Sequence, residues 1–206
     1  WFFWSNNVLL QGQTAIISLN FSETPVNFSS QNLSTTNGTL TSGAFDTSGK
    51  IFTTTFTPDA NVNGAASTIT VDNLWQTING NSLTSPLISS QIIVDTVVPT
   101  ASFQIQNKPV GADGDLDITI TFSDKPINFN MANDLSVSSG VLSGGSFDVT
   151  GKIFSLTYTA EAGQDPSAVQ NLQLSKNWTD ENGNSPNNII RESIKILSDD
   201  APTAVI

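Results

Sequence analysis

The octapeptide FDTSGKIF at residues 45–52 returns as FDVTGKIF at residues 147–154, and this pair decides how the rest of the chain is read. Working outward from it, Phe21 and Pro25 align with Phe122 and Pro126, Leu40 with Leu142, and Trp75 with Trp178. NGNS at 79–82 matches NGNS at 182–185, and VPTA at 98–101 matches APTA at 201–204. The spacing is 101 positions between Phe21 and Phe122 and 103 between Trp75 and Trp178, so about two residues separate the halves in length. Self-similarity at a fixed period marks a repeated structural unit. The 206 residues therefore hold two domains of ordinary size, about 100 residues each. The boundaries expected are 1–96 for the first unit and 97–200 for the second, with 201–206 starting a further repeat or linker.

Inside each unit the apolar residues alternate with polar ones. Ala15, Ile17, Leu19 and Phe21 share one face, and their counterparts Leu116, Ile118, Ile120 and Phe122 share the same one. Phe154, Leu156 and Tyr158 form a second inward row, matched by Phe52, Thr54 and Phe56. A period of two is the signature of a strand with one buried face. Turn signals punctuate the rows: Pro25 and Pro126, TSGK and VTGK, and the two NGN triplets. About seven strands per unit at such spacing predict an all-β chain of two β-sandwiches in series.

Composition narrows the function. Asp and Glu number 18 against 7 Lys and Arg, a net charge of -11, which argues against nucleic acid because its binding rests on cations at phosphates. The chain has no His and no Cys. The commonest general base and the thiol nucleophile are thus missing, disulfides cannot staple the fold, and the expectation is a protein that is not an enzyme. Only 12% of residues are charged, and Ser, Thr, Asn and Gly dominate the rest, as in extracellular all-β proteins. For an acidic, Cys-free, exported chain, Ca²⁺ is the expected source of rigidity. No run of 18 apolar residues is present to span a membrane.

With the repeat laid out, the chain resembles the bacterial immunoglobulin-like domains arrayed in large secreted surface adhesins. The residues that carry the likeness are the linker DTVVPTA at 95–101, ITITFSDKPINF at 118–129 and TDENGNSP at 179–186. The resemblance implies two tandem immunoglobulin-like β-sandwiches from the extender region of an adhesin. It further implies type I secretion, a place on the bacterial cell surface with a role in biofilm adhesion, and Ca²⁺ between domains. One departure stands out: the first unit has TINGN where the second has DENGN, so Thr77 occupies the place of Asp180.

Placing the acids on such a sandwich sorts them by pole, because successive loops alternate between its two ends. The incoming pole of unit two collects Asp124, Asp148 and Asp180 with Asn182 and Asn184, and the linker brings Asp95. Asp59 and Asn61 are expected to face them from unit one. A second group joins Asp113, Asp115 and Asp117 with Glu161, Asp165, Asp199 and Asp200. Hard oxygens at this density suit Ca²⁺, with its six to eight ligands, whereas the plain alternative is ordinary turn Asp and Asn. The partners expected are neighbouring repeats of the same chain, with the protein a monomer, and a glycan or other host-surface ligand as the alternative function.

Trp75 and Trp178, beside the NGN turns, carry that alternative as stacking platforms for a sugar; the other reading is a large side chain closing the core. Contact between cells through like domains is a third reading. Lys50 and Lys152 read as solvated turn residues, and sequons such as Asn37-Gly38-Thr39 carry no weight in so Asn- and Ser-rich a chain. WFFW at 1–4 falls opposite Ser102–Ile105, so Phe2 and Trp4 are expected inward and Trp1 and Phe3 outward, in a segment that begins within a strand.

Overall fold

Ala15, Ile17 and Leu19 are buried while Ile16 between them is 54% exposed, so the period-two row becomes a strand over Ala15–Asn20 with one face inside. A computed structural model describes residues 2–106, 114–162 and 168–195. The chain divides into two compact units, Trp1–Val97 and Val98–Ile206.

In the first unit, one sheet runs in the order Phe2–Trp4, Ala15–Asn20, Ile51–Pro58, Gly38–Leu40, and Ala44–Phe45 also pairs with Ile51–Pro58. Across the core lie Leu87–Ile88, Ile69–Val71 and Leu33–Thr35, and a further sheet of Val8–Leu10, Ile92–Asp95 and Ala65–Ser67. Leu9, Ile69, Val71, Ile92 and Val94 meet Ala15, Ile17, Phe52 and Phe56 in one apolar cluster, which is what packs the layers together. Val8–Leu10 runs parallel to Ile92–Asp95. The first strand therefore serves both layers: Phe2–Trp4 adds to one and, after Ser5–Asn7, Val8–Leu10 adds to the other. That switch was not legible, since a three-residue strand has no measurable period.

The second unit has longer strands. Ala101–Ile105, Asp115–Phe122, Ile153–Thr159 and Val141–Phe147 form a four-stranded antiparallel sheet, and Leu135–Val137, Val169–Leu174 and Ile190–Lys195 a three-stranded one. Ile118, Ile120, Leu156, Tyr158, Leu172, Leu174, Trp178 and Ile194 fill the space between. These are seven strands among the described residues, as the turn spacing predicts. A register shift between Ser143 and Ser146 accommodates Gly144, whose φ is 68°. The short helix Met131–Asp134 has its place taken in unit one by a single 3-10 turn, Ser30–Asn32.

The aligned aromatics account for the common core. Phe21, Phe28, Phe45, Phe52 and Trp75 pack edge-on in the first unit, with Phe21 and Trp75 rings 5.1 Å apart at 90°. Phe122, Phe129, Phe147, Phe154 and Trp178 repeat the cluster, with the corresponding pair 4.9 Å apart at 88°. Edge-to-face contacts of this kind add about 0.5–1.5 kcal/mol each beyond area burial. Both phenylalanines of FDxxGKIF belong to this cluster, so the motif is half core and half turn.

Candidate functional site

Each acidic turn is organised around one carboxylate. In the second unit, Asp180 is buried. Its Oδ1 accepts the backbone N–H groups of Asn182, Gly183 and Asn184 at 3.0, 2.8 and 2.9 Å. Its Oδ2 accepts the Asn184 side-chain amide at 3.1 Å, and its own N–H donates to the Asn184 carbonyl at 3.0 Å. This is an Asx-type loop in which a carboxylate replaces a missing run of backbone partners. In the first unit Thr77 offers one hydroxyl, which accepts the Asn81 N–H at 3.2 Å. The Thr77-for-Asp180 difference thus changes how many turn amides one side chain can hold.

Asp124 lies beside the GK turn: Lys152 Nζ sits 3.4 Å from its Oδ1 and donates to the Ser123 carbonyl at 2.8 Å. The Ser123 hydroxyl donates to the other oxygen. Lys50 repeats part of this by donating to the Ser22 carbonyl at 3.3 Å. The recurring Lys is therefore a strap from the turn back to the preceding strand end. The turn after Phe122 and the turn at Asp148–Lys152 meet through Lys152 and Asp124, and Ile127 bridges to Thr179 next to Asp180.

In the GK turns, Asp46 accepts from the Ser48 hydroxyl at 2.8 Å and the Ile51 N–H at 3.1 Å, and Asp148 from Thr150 and the Ile153 N–H. The Ser48 bond leads in holding the Asp46 carboxyl below its usual value of 3.8, with backbone N–H groups of Ile51, Ser48 and Lys50 helping. Desolvation pushes Asp148 up, but the bonds from Thr150, Ile153 and Lys152 outweigh it and leave the group lowered.

Among the other expected ligands, Asp59 is exposed and it is its carbonyl that works, accepting the Thr96 hydroxyl at 2.8 Å. Asp95 is buried at 2% exposure and accepts the Val97 N–H at 3.1 Å. Asp115 is exposed and accepts the Thr159 hydroxyl at 2.6 Å. Asp113, Asp165, Asp199 and Asp200 lie outside the described residues, as does Trp1. Among the described residues no three acidic side chains gather into a group that could hold a metal ion. Asp46, Asp148 and Asp180 are instead hydrogen-bonded within their own turns, and Asp115, Asp124 and Asp134 pair with single groups on neighbouring elements.

The two tryptophans are core. Trp178 is fully buried and Trp75 is 8% exposed. Each indole N–H donates 3.0 Å to a carbonyl three residues back, Asp72 for Trp75 and Ser175 for Trp178. Neither offers an open face on which a sugar could stack, so the platform expectation gives way to the end-closing role. Phe2 and Trp4 pack against the core and Phe3 is 57% exposed, as alternation predicts.

Residues that sequence reasoning passed over link the layers. The Asp134 carboxylate, buried, accepts the Asn130 N–H at 2.8 Å and the Ser175 hydroxyl at 2.6 Å. The aligned pair in unit one is Asn32 and Asp72, where the Asn32 amide donates to the Asp72 carboxylate at 3.0 Å. The signal was present as two coupled differences between the repeats.

Paired, mainly antiparallel layers around an apolar core in each unit, repeated along the chain, define a tandem immunoglobulin-like β-sandwich protein. The pattern of the bacterial Ig-like domain matches residues 3–91 and again 95–196, so the chain belongs to the bacterial Ig-like domain family. No curated protein matches it. Among solved structures it is similar to the Yersinia pseudotuberculosis adhesin InvE, at 13% identity and a TM-score of 0.34, over 99% of this chain and 64% of that one. The chain thus spans less than two thirds of that structure. No helix among the described residues is long and apolar enough to cross a membrane.

Proposed function

We propose that the chain is a non-catalytic spacer segment of a bacterial surface adhesin, exported by type I secretion and displayed outside the cell, where its tandem units extend the reach of an adhesive tip in biofilm attachment. The observation that carries this reading is the repeat itself. Both units preserve the same five-aromatic core and the same strapped GK turn, while the polar side chains described are spent on holding turns rather than aimed at a common point. A scaffold kept twice, with no convergent polar site among the described residues of either copy, suits a load-transmitting element. Partners on this reading are neighbouring repeats, and the chain is a monomer.

Calcium stiffening is the second part of the proposal. It rests on a net charge of -11 and on the carboxylates near the linkers, since like charges at short range repel unless a cation compensates them. Asp95 in the first unit, and Asp124 and Asp180 in the second, are the described carboxylates proposed as oxygen donors. Ca²⁺, where bound, would neutralise and cross-link such oxygens.

The spacer reading is tested by a glycan array on the isolated chain together with antibody labelling of intact cells that produce the full protein. The expected result is surface labelling with no glycan bound above background. Glycan binding by the isolated chain would replace the spacer role with direct ligand recognition.

A further inference from the structure

We propose that Asn63 is a site of spontaneous covalent modification, where the Gly64 backbone nitrogen closes on the Asn63 side chain and converts it to aspartate and isoaspartate. This chemistry is independent of the spacer role. Asn-Gly suits it, because no side chain shields the attacking nitrogen and glycine lets the backbone turn toward the amide. Four such pairs occur, at 37–38, 63–64, 79–80 and 182–183, and the fold sets one of them apart.

Ala65 pairs with Val94, while the Thr96 N–H donates to the Val62 carbonyl at 2.7 Å and the Val62 N–H to the Thr96 hydroxyl at 2.9 Å. Positions 62 and 65 are three apart where positions 94 and 96 are two apart, so one residue is in excess and the chain bulges between them. That bulge is Asn63-Gly64. Both residues are exposed, Gly64 has a φ of 57°, and neither makes a hydrogen bond among the described residues. Nucleophile and amide are thus free side by side. In the other pairs a reacting group is held. The Gly183 N–H donates to the Asp180 carboxylate at 2.8 Å. The Gly80 N–H donates to the Thr77 carbonyl at 2.9 Å, and the Asn79 amide to the Glu23 carboxylate at 3.2 Å. The Asn37 amide donates to the Ala66 carbonyl at 3.0 Å, and Gly38 lies in a strand against the Phe56 ring. Reaction at these three must wait for local opening.

Water is the only co-reactant. The Gly64 nitrogen bonds to Asn63 Cγ and gives its proton to solvent, the Cγ–Nδ2 bond breaks, and ammonia leaves behind a cyclic imide. Water then opens the imide at Cγ, giving aspartate, or at the main-chain carbonyl, giving isoaspartate with a backbone longer by one methylene. Either product adds a negative charge. Because Val62 and Ala65 are tied to Thr96 and Val94, the added length falls on those ties, at the strand end that leads into the linker at 95–101.

The test incubates the full chain in mildly alkaline buffer, native and in guanidinium, and follows the four pairs by peptide mapping and mass spectrometry. In the folded chain Asn63 is expected to convert about tenfold faster than Asn37, Asn79 and Asn182, because only those three need an opening step. Its products should separate as two peptides of equal mass. In guanidinium the four rates should draw together. Asn63→Gln should remove most of the acidic shift of the aged native protein, and hydrogen exchange at the Thr96 amide should quicken in the aged unsubstituted chain alone. Conversion at Asn63 no faster than at the other three in the native chain, or an unchanged spread of rates in guanidinium, would overturn the site. Unaltered Thr96 exchange in converted protein would overturn its effect on the strand end.

Discussion

Asn32 and Asp72 in one unit, Asp134 and Ser175 in the other, make the same connection with the carboxylate on opposite sides. In both units the backbone N–H of the second residue donates to the carbonyl of the first, at 2.9 and 2.7 Å, so the backbones are placed alike and only the side-chain polarity is exchanged. One carboxylate facing a donor satisfies both groups; two facing each other leave a repelled pair partly out of water. Asn32→Asp is therefore expected to destabilise the first unit by about 1–3 kcal/mol. Adding Asp72→Ser should restore most of the loss by recreating the second unit's pairing, and chemical denaturation of the single and double variants checks it. The GK-turn carboxylates give a second residue-scale prediction. Because Asp46 and Asp148 are held below 3.8 in the folded chain, their contribution is fully present above that value and is lost as pH falls through the lowered one. Carboxyl titration by NMR should find both below 3.8. Ordinary values would mean that the turn bonds do not persist in solution.

At the scale of elements, the alternating rows were read correctly because a strand with one buried face must place like residues two apart. Phe52, Thr54 and Phe56 are all buried, and even Thr54 fits the row by donating its hydroxyl to the Thr41 carbonyl at 2.8 Å. What the rows did not disclose is the requirement for glycine beside them, at Gly43 just before Ala44–Phe45 and at Gly145 within Val141–Phe147. A Cβ on Gly43 would fall inside the Phe52 ring and against the Thr53 carbonyl, and a Cβ on Gly145 would fall inside the Phe154 ring and against Met131. The outer edge of the Phe ring lies against the bare backbone in both copies, so these glycines are there for close approach rather than for a turn. Gly43→Ala and Gly145→Ala are each expected to cost about 1–3 kcal/mol through overpacking. Gly144→Ala, with nothing within 4 Å but a φ of 68°, separates steric crowding from backbone strain in the same melting experiment. The parallel pairing of Val8–Leu10 with Ile92–Asp95 also escaped the sequence, since its partners are more than eighty residues apart and the segment is too short to show a period.

For the whole molecule, the net charge of -11 sets the electrostatic question. General screening by salt relieves repulsion between exposed acids without any site, whereas a bound ion that prefers the folded state stabilises it in proportion to its occupancy. On the calcium proposal, EDTA should lower the melting temperature and broaden the small-angle scattering profile, and Ca²⁺ should restore both where NaCl of matched ionic strength does not. Equal effects of the two salts, or none from EDTA, would remove the ion and leave the tandem scaffold intact. By itself the sequence determined the repeat, the all-β class and the buried faces of the long strands, because these follow from local periodicity and from two copies of one pattern. It also indicated the meeting of the strand-end and GK turns in the second unit, since alternation of loops between poles is a property of any sandwich. Only the tertiary structure decided what the acids and tryptophans do. Hydrogen bonds within each turn use the carboxylates of Asp46, Asp148 and Asp180, and ring packing uses the indoles of Trp75 and Trp178. The reason is physical: the turn hydrogen bonds of an Asp depend on the backbone geometry that the fold imposes, and whether a Trp faces solvent or core depends on neighbours that arrive from distant parts of the chain.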